Sequence, residues 1–595
     1  MGCARYRPSP LQGRQSIPEE PLVSTDTAQT GAGTVFPPKP KRSEGQWALG
    51  ETTPLTPNEK WKAEEGGLAV RERIDAYARG GFASIPGDDL RGRMRWWGLY
   101  TQRKPGIHGG RTASLEPHEL DDEYFMLRVR TDGGAVDLNQ LRTLADLSTR
   151  YARDTADVTD RQNIQYHWIR IEDMPEIWSR LGDAGLITTD ACGDTPRVIL
   201  GSPVAGVAAD EIIDGTPALL KIRELFVGDE ELQNLPRKFK TAISGNPSQD
   251  VAHEIHDIAF VGVNHPEHGP GFDLWVGGGL STNPMLAKRL GAWVPLDEVH
   301  EVWHGVIKIF RDYGYRRLRN RARLKFLMAD WGPEVFREVL EQEYLGRKLI
   351  DGPAPELPAG SRHDHVGVHR QKNGKFYVGI TPVVGRVSGT VLAKLADAAE
   401  KAGSNRLRFT PQQKIVILDV VASKVPDLLD ELEEIGLSAR ASAFRRGTMA
   451  CTGIEFCKLA ITATKSTATT LVSELENRLA DVPELFTLDG PSLSINMNGC
   501  PNSCARAQIA DIGLKGVQLP NPADPQGETV DGFQIHLGGG LGVHAGFGRK
   551  VRGLKSTAAD LPDYVERLVR RWIAQRKDDE TFAAWVIRAD EADLA

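Results

Sequence analysis

The chain has 595 residues, of which 40% are hydrophobic and 26% are charged, and its formal net charge is −7 at pH 7. This length suffices for about four domains of ordinary size, each with an ample core. The negative charge argues against non-specific binding of nucleic acid over the whole surface, and no apolar run is long enough to span a bilayer.

The first 45 residues predict a disordered tail. Their apolar content is low, and prolines recur among Ser, Thr, Gly and Gln, at Pro8, Pro10, Pro18, Pro21, Pro37, Pro38 and Pro40. The opening Met1-Gly2-Cys3 hints at lipidation, but Tyr6 stands where a myristoylation signal has Ser or Thr. We therefore expect a disordered segment over residues 1–45, in which Cys3 is incidental.

A repeated unit follows the tail. Its most visible marks, at one constant offset, are Met174-Pro175, Leu181 and Gly185-Leu186, repeated as Val425-Pro426, Leu432 and Gly436-Leu437. Each copy predicts strand, helix, strand and helix, the last helix opening at the proline. The predicted elements before the prolines are strands 124–130 and 164–171 with helix 138–151, and strands 365–370 and 415–421 with helix 391–402. This order indicates two ferredoxin-like halves that pair, over 46–186 (with an N-terminal extension) and 356–440.

A second repeated block follows each half. Gly271-Phe272 and Gly277-Gly278-Gly279-Leu280 recur as Gly532-Phe533 and Gly538-Gly539-Gly540-Leu541. The first block has Lys238-Phe239-Lys240 where the second has Asn496-Met497-Asn498, and only the second carries paired cysteines. The sequence therefore predicts an α+β fold with a pseudo-twofold repeat. We expect block 187–355 to supply charged residues and block 441–595 to supply metal ligands. The boundary between the two copies is predicted near residues 351–360.

Four of the six cysteines lie in the second block. Cys451 and Cys457 form a C-x5-C pair, and Cys500 and Cys504 form a C-x3-C pair within Asn498-Gly499-Cys500-Pro501-Asn502-Ser503-Cys504. Zinc sites usually have shorter spacings than the first pair, and nothing in the sequence suggests the oxidising compartment that disulfides need. Single buried cysteines are common, but four together in a Cys-poor chain are not. The pattern favours a [4Fe–4S] cluster, which four thiolates complete.

This paired signature resembles that of the sirohaem- and [4Fe–4S]-containing sulfite/nitrite reductases, and the likeness runs from about residue 45 to the C-terminus. Within that family the chain is most similar to the ferredoxin-dependent assimilatory sulfite reductases of actinobacteria. The resemblance implies two ferredoxin-like half-domains and two α/β domains that bind sirohaem and the cluster. It also implies that Cys504 bridges the cluster to the sirohaem iron.

Sirohaem is rich in carboxylates and the substrate is an anion, so the site needs many cations. Taken alone, each candidate is more typical of a solvated surface charge. By resemblance, four cations face the substrate: Arg128, Arg197, Lys238 and Lys240. The period-two spacing of the lysines predicts one face of a strand. The resemblance further assigns Arg161, Gln165 and Asn502 to holding sirohaem or ordering the site.

Two further patterns have competing interpretations. The basic run 316–325 predicts either a helix with one solvated face or a contact with sirohaem carboxylates, whereas a nucleic-acid patch is weaker because no binding motif accompanies the run. The two triple-glycine turns would let backbone N–H groups approach sirohaem carboxylates closely. Three histidines without a ligand-spaced motif are expected to be core or surface residues: His167, His253 and His256.

Tyr100 and Cys192 are not joined by any spacing rule. A core tyrosine and a small buried thiol would explain them. Some members of the family that the chain resembles carry a covalent Tyr–Cys thioether beside the substrate, and both residues match those positions. On that resemblance alone, we expect the crosslink.

The sequence thus predicts an assimilatory oxidoreductase that reduces sulfite to sulfide in six one-electron steps through a coupled [4Fe–4S]–sirohaem centre. The alternative is nitrite reduction to ammonia with the same cofactors, and the rival from another class is a non-catalytic cluster protein or nucleic-acid binder. No flavin or nicotinamide domain is evident, so ferredoxin is the expected electron donor. We also expect a cytoplasmic monomer that binds neither membrane nor nucleic acid.

Overall fold

The computed structural model describes residues 56–358 and 364–595. The predicted tail over 1–45, with Cys3, lies outside the described residues. Within the described ranges, no helix is long and apolar enough to cross a membrane. The domain boundaries proposed from the sequence stay predictions, because the described residues belong to one compact unit.

The strands are numbered in chain order. They are β1 (Leu99–Arg103), β2 (Asp121–Val129), β3 (Val136–Asp137), β4 (Ala156–Val158), β5 (Ile164–Ile169), β6 (Leu200–Gly201), β7 (Thr241–Ser244), β8 (Ile258–His265), β9 (Gly269–Val276), β10 (Lys288–Val294), β11 (Ile350–Asp351), β12 (Gly367–Arg370), β13 (Phe376–Ile380), β14 (Arg386–Val387), β15 (Arg406–Phe409), β16 (Ile415–Val420), β17 (Thr448–Ala450), β18 (Ile495–Asn498), β19 (Ile512–Leu519), β20 (Val530–Leu537) and β21 (Arg549–Thr557).

The α-helices are numbered in the same way, and α8 runs on into a π-helical turn at Leu340–Leu345. They are α1 (Pro57–Glu64), α2 (Ile74–Gly80), α3 (Gly87–Arg91), α4 (Leu138–Tyr151), α5 (Met174–Asp183), α6 (Thr216–Phe226), α7 (Val299–Tyr313), α8 (Leu324–Val339), α9 (Gly389–Lys401), α10 (Val425–Glu434), α11 (Ala443–Gly447), α12 (Lys465–Arg478), α13 (Leu561–Gln575), α14 (Phe582–Arg588) and α15 (Glu591–Leu594).

The two ferredoxin-like halves form two five-stranded sheets, in the orders β1-β2-β5-β4-β14 and β12-β13-β16-β15-β3. Each sheet ends in a strand from the other half. β14 pairs antiparallel with β4, and β3 pairs antiparallel with β15. The two halves also share one apolar core, to which α4 and α9 contribute Leu144 and Leu395. The predicted pairing of the two copies is confirmed, and it includes an exchange of edge strands.

Local sequence signals explain why the repeated helices start where they do. Asp137 and Gln140 form a reciprocal capping box at the start of α4, with the Gln140 N–H donating to Asp137 Oδ1 at 2.7 Å. The Ser388 hydroxyl accepts from the Val391 N–H at the start of α9. α5 and α10 each carry proline in the first turn, where the missing N–H costs no intrahelical bond.

The two remaining sheets are mixed and repeat one another. Their orders are β11-β10-β9-β8-β7-β6 and β17-β18-β19-β20-β21. In each sheet the first three strands of the block run parallel (β6-β7-β8 and β17-β18-β19) and the later pairs are antiparallel. α7 and α8 cover the first sheet, and α12 and α13 cover the second. The predicted α+β pseudo-twofold architecture is confirmed.

The helical interpretation of the basic run is wrong. Residues 314–323 form an irregular segment, and α8 begins only at Leu324. Distant acids hold the segment: Arg316 pairs with Glu59 at 2.9 Å, and Arg319 pairs with Asp194 at 2.7 Å. Long-range ion pairs therefore tie this segment to the rest of the chain, and charge spacing alone does not reveal them.

Candidate functional site

The cysteine pairs follow two neighbouring parallel strands. Cys451 comes directly after β17, and Cys500 lies two residues after β18, with Ala450 opposite Met497 in the register. Because the carboxyl ends of parallel strands meet at the same sheet edge, the two cysteine segments come together. The N–H of Gly499 donates to the sulfur of Cys451 at 3.3 Å. Gly453, at φ +71°, takes a left-handed turn in which a Cβ would lie 2.3 Å from the Thr464 hydroxyl.

The four sulfurs act on one another electrostatically. Burial first, and then the charge of Cys504, raises the pKa of Cys451 and of Cys500 to about 12. The pKa of Cys457 is raised by the same two causes in the same order. Within residues 56–358 and 364–595, no three His, Cys, Asp or Glu side chains are grouped to hold one metal ion. A cubane cluster makes a different demand, because each of its four irons takes one thiolate.

Arg128 and Gln165 connect this region to a group of cations. They are register partners on β2 and β5, and Arg128 Nη2 donates to Gln165 Oε1 at 2.7 Å. Gln165 Nε2 in turn lies 3.2 Å from the hydroxyl of Thr452, the residue after Cys451. Behind it, the buried His167 stacks on Phe456 with ring centroids 3.7 Å apart. Gln165 thus links Arg128 to the cysteine segment.

Arg197, Lys238 and Lys240 lie on two short segments held by one isolated bridge. The N–H of Arg197 donates to the Phe239 carbonyl at 2.8 Å, and the Phe239 N–H donates to the Thr195 carbonyl at 3.1 Å. The prediction that both lysines lie on a strand is wrong, because β7 begins only at Thr241. Phe239, between the two lysines, is nevertheless buried, as the predicted alternation requires.

The two lysines carry charge without a direct partner. Neither ammonium group makes a hydrogen bond or ion pair with any residue that the structure describes. Burial first, and then Arg161, lowers the pKa of Lys240 to about 7. Burial, and then Lys240, lowers the pKa of Lys238 well below its usual value. Such clustered, partly desolvated cations suit an anionic ligand.

Arg161 is held by a neutral histidine. Nδ1 of His256 lies 2.9 Å from the Ala252 carbonyl and therefore carries the proton, so Nε2 accepts from Arg161 Nη1 at 3.0 Å. Burial first, and then Arg161, lowers the pKa of His256 well below its usual value. Burial likewise lowers the pKa of Arg161 to about 9. All three histidines named in the sequence analysis are buried: His167, His253 and His256.

Asn502 and Cys504 face the first repeated block. Both side chains are exposed, and Asn502 Oδ1 accepts from the Ser281 hydroxyl at 3.4 Å. The charge of Cys504 raises the pKa of both Arg128 and Lys240, opposing the effect of burial on each. One cysteine of the signature therefore lies within electrostatic reach of two predicted substrate cations.

Tyr100 and Cys192 lie beside the same cations. Arg128 Nη1 donates to the sulfur of Cys192 at 2.9 Å. Burial first, and then Cys192, raises the pKa of Tyr100, whereas Arg197, Arg95 and Arg128 lower it. The predicted proximity of the two residues is consistent with this electrostatic contact, and the thioether itself stays a prediction.

Sequence reasoning missed several charged neighbours. Arg95 and Arg237 act on the pKa of Tyr100 and Lys238, respectively. Asp194 receives Arg319 through both carboxylate oxygens at 2.7 and 2.9 Å, and Asp257 binds Arg323 at 2.8 Å. Arg237 could have been found from the sequence, because it is adjacent to Lys238. The acids of the two ion pairs could not be identified in this way, because they lie far in sequence from the arginines that they bind.

The expectation for the triple-glycine turns is wrong. The N–H groups of Gly277 and Gly278 donate to the carbonyls of Asp257 and His256, and that of Gly279 donates to Met285. The turn at 538–540 repeats this pattern, with acceptors Asp511, Ala510 and Gly546. The glycines are needed for close packing: a Cβ on Gly278 would lie 2.3 Å from the Glu254 carbonyl oxygen. Each of the six glycine N–H groups in the two turns is therefore already bonded to a carbonyl.

Comparison with known proteins gives a consistent result. Residues 192–349 and 441–594 match the family "Nitrite and sulphite reductase 4Fe-4S domain", and residues 118–184 and 369–435 match "Nitrite/Sulfite reductase ferredoxin-like half domain". "Sulfite reductase [ferredoxin]" of Mycobacterium tuberculosis is 58% identical over 562 residues, covering 94% of this chain and all of that protein. "Ferredoxin--nitrite reductase" of Synechococcus elongatus is 34% identical, covering 89% of this chain and 99% of that protein. The solved structure titled "Structure of Mycobacterium tuberculosis NirA protein" superposes with a TM-score of 0.89 at 58% identity, over 93% of this chain and all of that one.

Proposed function

Because this chain belongs to the nitrite and sulphite reductase family, we propose that it reduces sulfite to sulfide with electrons from reduced ferredoxin. The observation that carries the proposal is the link through Gln165, which accepts from Arg128 at 2.7 Å and donates to Thr452, the residue after Cys451, at 3.2 Å. A metal-ligand signature and an anion-binding group of cations thus share one place.

Two cofactors fit the residues present. Cys451, Cys457, Cys500 and Cys504 would hold a [4Fe–4S] cluster, and Cys504 would also reach sirohaem, which Arg161, Gln165 and Asn502 would help to hold. Four cysteines on two segments that meet at one sheet edge are the donor set that a [4Fe–4S] cluster takes, and iron would hold them as thiolates. The ammonium groups of Lys238 and Lys240, which have no direct partner among residues 56–358 and 364–595, likewise suit an anionic partner. Together the cofactors supply one-electron reduction chemistry.

The protein's own groups bind the anion and deliver protons. Arg128 is oriented by Gln165 and can present its guanidinium to an oxyanion. Arg197, Lys238 and Lys240 would neutralise the sulfite charge in a site with little solvent. Each S–O bond that breaks releases oxygen as water, which consumes protons. Lys240, with a pKa of about 7, is suited to give and regain a proton near neutral pH.

The names of the relatives bear on the substrate and on the electron donor. Relatives at 58% identity carry sulfite and ferredoxin in their names, whereas those named for nitrite are 34–35% identical. This difference supports sulfite over nitrite and ferredoxin as donor. We extend the proposal to a cytoplasmic monomer with no nucleic-acid partner.

Two measurements on the anaerobically purified chain test the function. We expect iron, acid-labile sulfide and a tetrapyrrole absorption spectrum, with zinc absent. Turnover with reduced ferredoxin should give a larger kcat/KM for sulfite than for nitrite. A larger value for nitrite would reverse the substrate assignment, and iron without a tetrapyrrole would remove the proposed chemistry.

A further inference from the structure

Arg103 lies against the segment that carries Cys457. It is the last residue of β1, and its N–H donates to the Phe456 carbonyl at 2.8 Å. Its Nη1 atom donates to the carbonyls of Ala460 at 3.3 Å and Lys458 at 3.5 Å. Main-chain and side-chain bonds thus bind Arg103 to residues on both sides of Cys457.

The charge of Arg103 is buried without a carboxylate. Its side chain is 1% exposed, and Nη2 donates to one more carbonyl, that of Ile107, at 3.0 Å. Nε has no hydrogen-bond partner, and none of the acids that the structure describes forms an ion pair with this guanidinium. Arg130, equally buried, pairs with Asp132 at 2.7 Å. A buried cation is costly unless an anion compensates it, so Arg103 requires one from another source.

Cys457 is the residue whose negative charge, once its sulfur is a cluster ligand, would act on Arg103. Burial lowers the pKa of Arg103, and the charge of Cys457 opposes that effect. Reciprocally, burial first and then Cys504 raise the pKa of the Cys457 thiol, and the charge of Arg103 opposes them. Arg103 is thus bonded to the main chain on both sides of Cys457, through its N–H to the Phe456 carbonyl and through its guanidinium to the carbonyls of Lys458 and Ala460.

We propose that Arg103 is the counter-charge of the cluster at Cys457 and a positioning residue for the segment 456–460. The inference rests on the proposed function, since it requires the cluster. Reduction adds an electron, and a fixed positive charge in a weakly screened interior stabilises the reduced state. Charge and hydrogen bonds at the sulfurs are known to set cluster potentials. Arg103 thus raises the reduction potential of the cluster and eases electron entry.

The test compares Arg103→Gln and Arg103→Lys in the holoenzyme. Lys104→Gln is the matched control, because Lys104 is adjacent but exposed. Cluster potentials are measured by reductive titration followed by electron paramagnetic resonance, and hydrogen exchange is measured at the amides of 457–461. We expect a more negative potential in Arg103→Gln, a potential close to that of the unchanged chain in Arg103→Lys, and no change in Lys104→Gln. Exchange should quicken in both Arg103 variants.

The outcomes separate this inference from the proposed function. A chain that binds no iron–sulfur cluster removes the function itself. A full cluster complement in Arg103→Gln with an unchanged potential overturns the counter-charge. If Arg103→Gln loses the cluster, Arg103→Lys decides alone: an unchanged potential with faster exchange supports the inference, and a clearly more negative potential contradicts it.

Discussion

The Nη1 atom of Arg128 lies 2.9 Å from the sulfur of Cys192, while its Nη2 atom donates to Gln165 Oε1 at 2.7 Å. One guanidinium thereby joins a buried thiol of the first repeated block to a glutamine that contacts Thr452 beside Cys451. Fixing both ends of the fork sets its plane, which matters for a group that has to meet an oxyanion in one orientation.

The neighbouring Tyr100 and Cys192 lead to a prediction about covalent structure. If the thioether forms, its oxidative formation removes two hydrogen atoms, and a linked peptide about two mass units lighter than the sum of its parts is expected. Mass spectrometry of a proteolytic digest measures this. Cys192→Ala and Tyr100→Phe should each abolish the linked peptide, and recovery of only the separate peptides from the unchanged chain would exclude the bond.

Loss of the Arg128 charge should damage catalysis more than folding. We expect Arg128→Gln to lower kcat/KM for sulfite by roughly 10²–10³-fold, because a positioned donor to developing charge is lost. Steady-state turnover with reduced ferredoxin measures the effect. Arg79→Gln, at an exposed position on α2, is the control and should leave the rate unchanged. Equal rates for the two variants would exclude Arg128 from substrate binding.

The lowered pKa of Lys240 predicts a pH limb. The ammonium form is lost as pH rises through about 7, so kcat/KM for sulfite should fall over that range. A bound anion raises the lysine pKa, which should move the corresponding limb of kcat to higher pH. Lys240→Arg keeps its charge and should lose this limb, whereas Lys60→Arg, at an exposed position, should not. The same limb in Lys240→Arg would assign it to another group.

Asp194 should stabilise the fold rather than the reaction. Burial raises its pKa, but Arg319, Lys62 and Arg237 outweigh burial and hold the pKa well below its usual value. Asp194→Asn leaves these cations without their acid, and we expect a loss of about 3 kcal/mol. The apparent Tm at a fixed scan rate measures it, with the exposed Asp75→Asn as the control.

The sign of the pH dependence follows from the depressed pKa of Asp194. Its contribution is fully present above the unfolded-state pKa of about 4 and is lost only as pH falls below that value. The Tm gap between the unchanged chain and Asp194→Asn should therefore stay constant between about pH 5.5 and 8. A gap that closes within this window would mean that another group causes it.

Regular, amphipathic elements were predictable from the sequence. The bounds predicted for α4, residues 138–151, are those found, because an apolar stripe and the Asp137 cap act locally. β5 and β16 were predicted one or two residues too long at their C-terminal ends. The strands β1, β4, β13 and β15 were missed. β3 and β14 were also missed, since two residues carry no periodicity.

In the candidate site, too, local sequence patterns were predictable and contacts between distant residues were not. The cysteine spacing is a local pattern, and the structure brings the two segments that carry it to one sheet edge. The strand predicted for Lys238 and Lys240 failed because only one bridge, between Pro196 and Phe239, forms there. Nothing in the sequence singled out Arg103, because the carbonyls of Lys458 and Ala460 that its guanidinium binds lie more than 350 positions away.

Each ferredoxin-like sheet takes one edge strand, β14 or β3, from the other half, and this limits how the molecule can be divided. A gene split between the two halves would yield fragments that each lack the closing strand of their sheet and share no complete core. Open edges of that kind recruit other chains and aggregate. Produced together, the fragments should instead rescue one another, so maturation of either one would require the other.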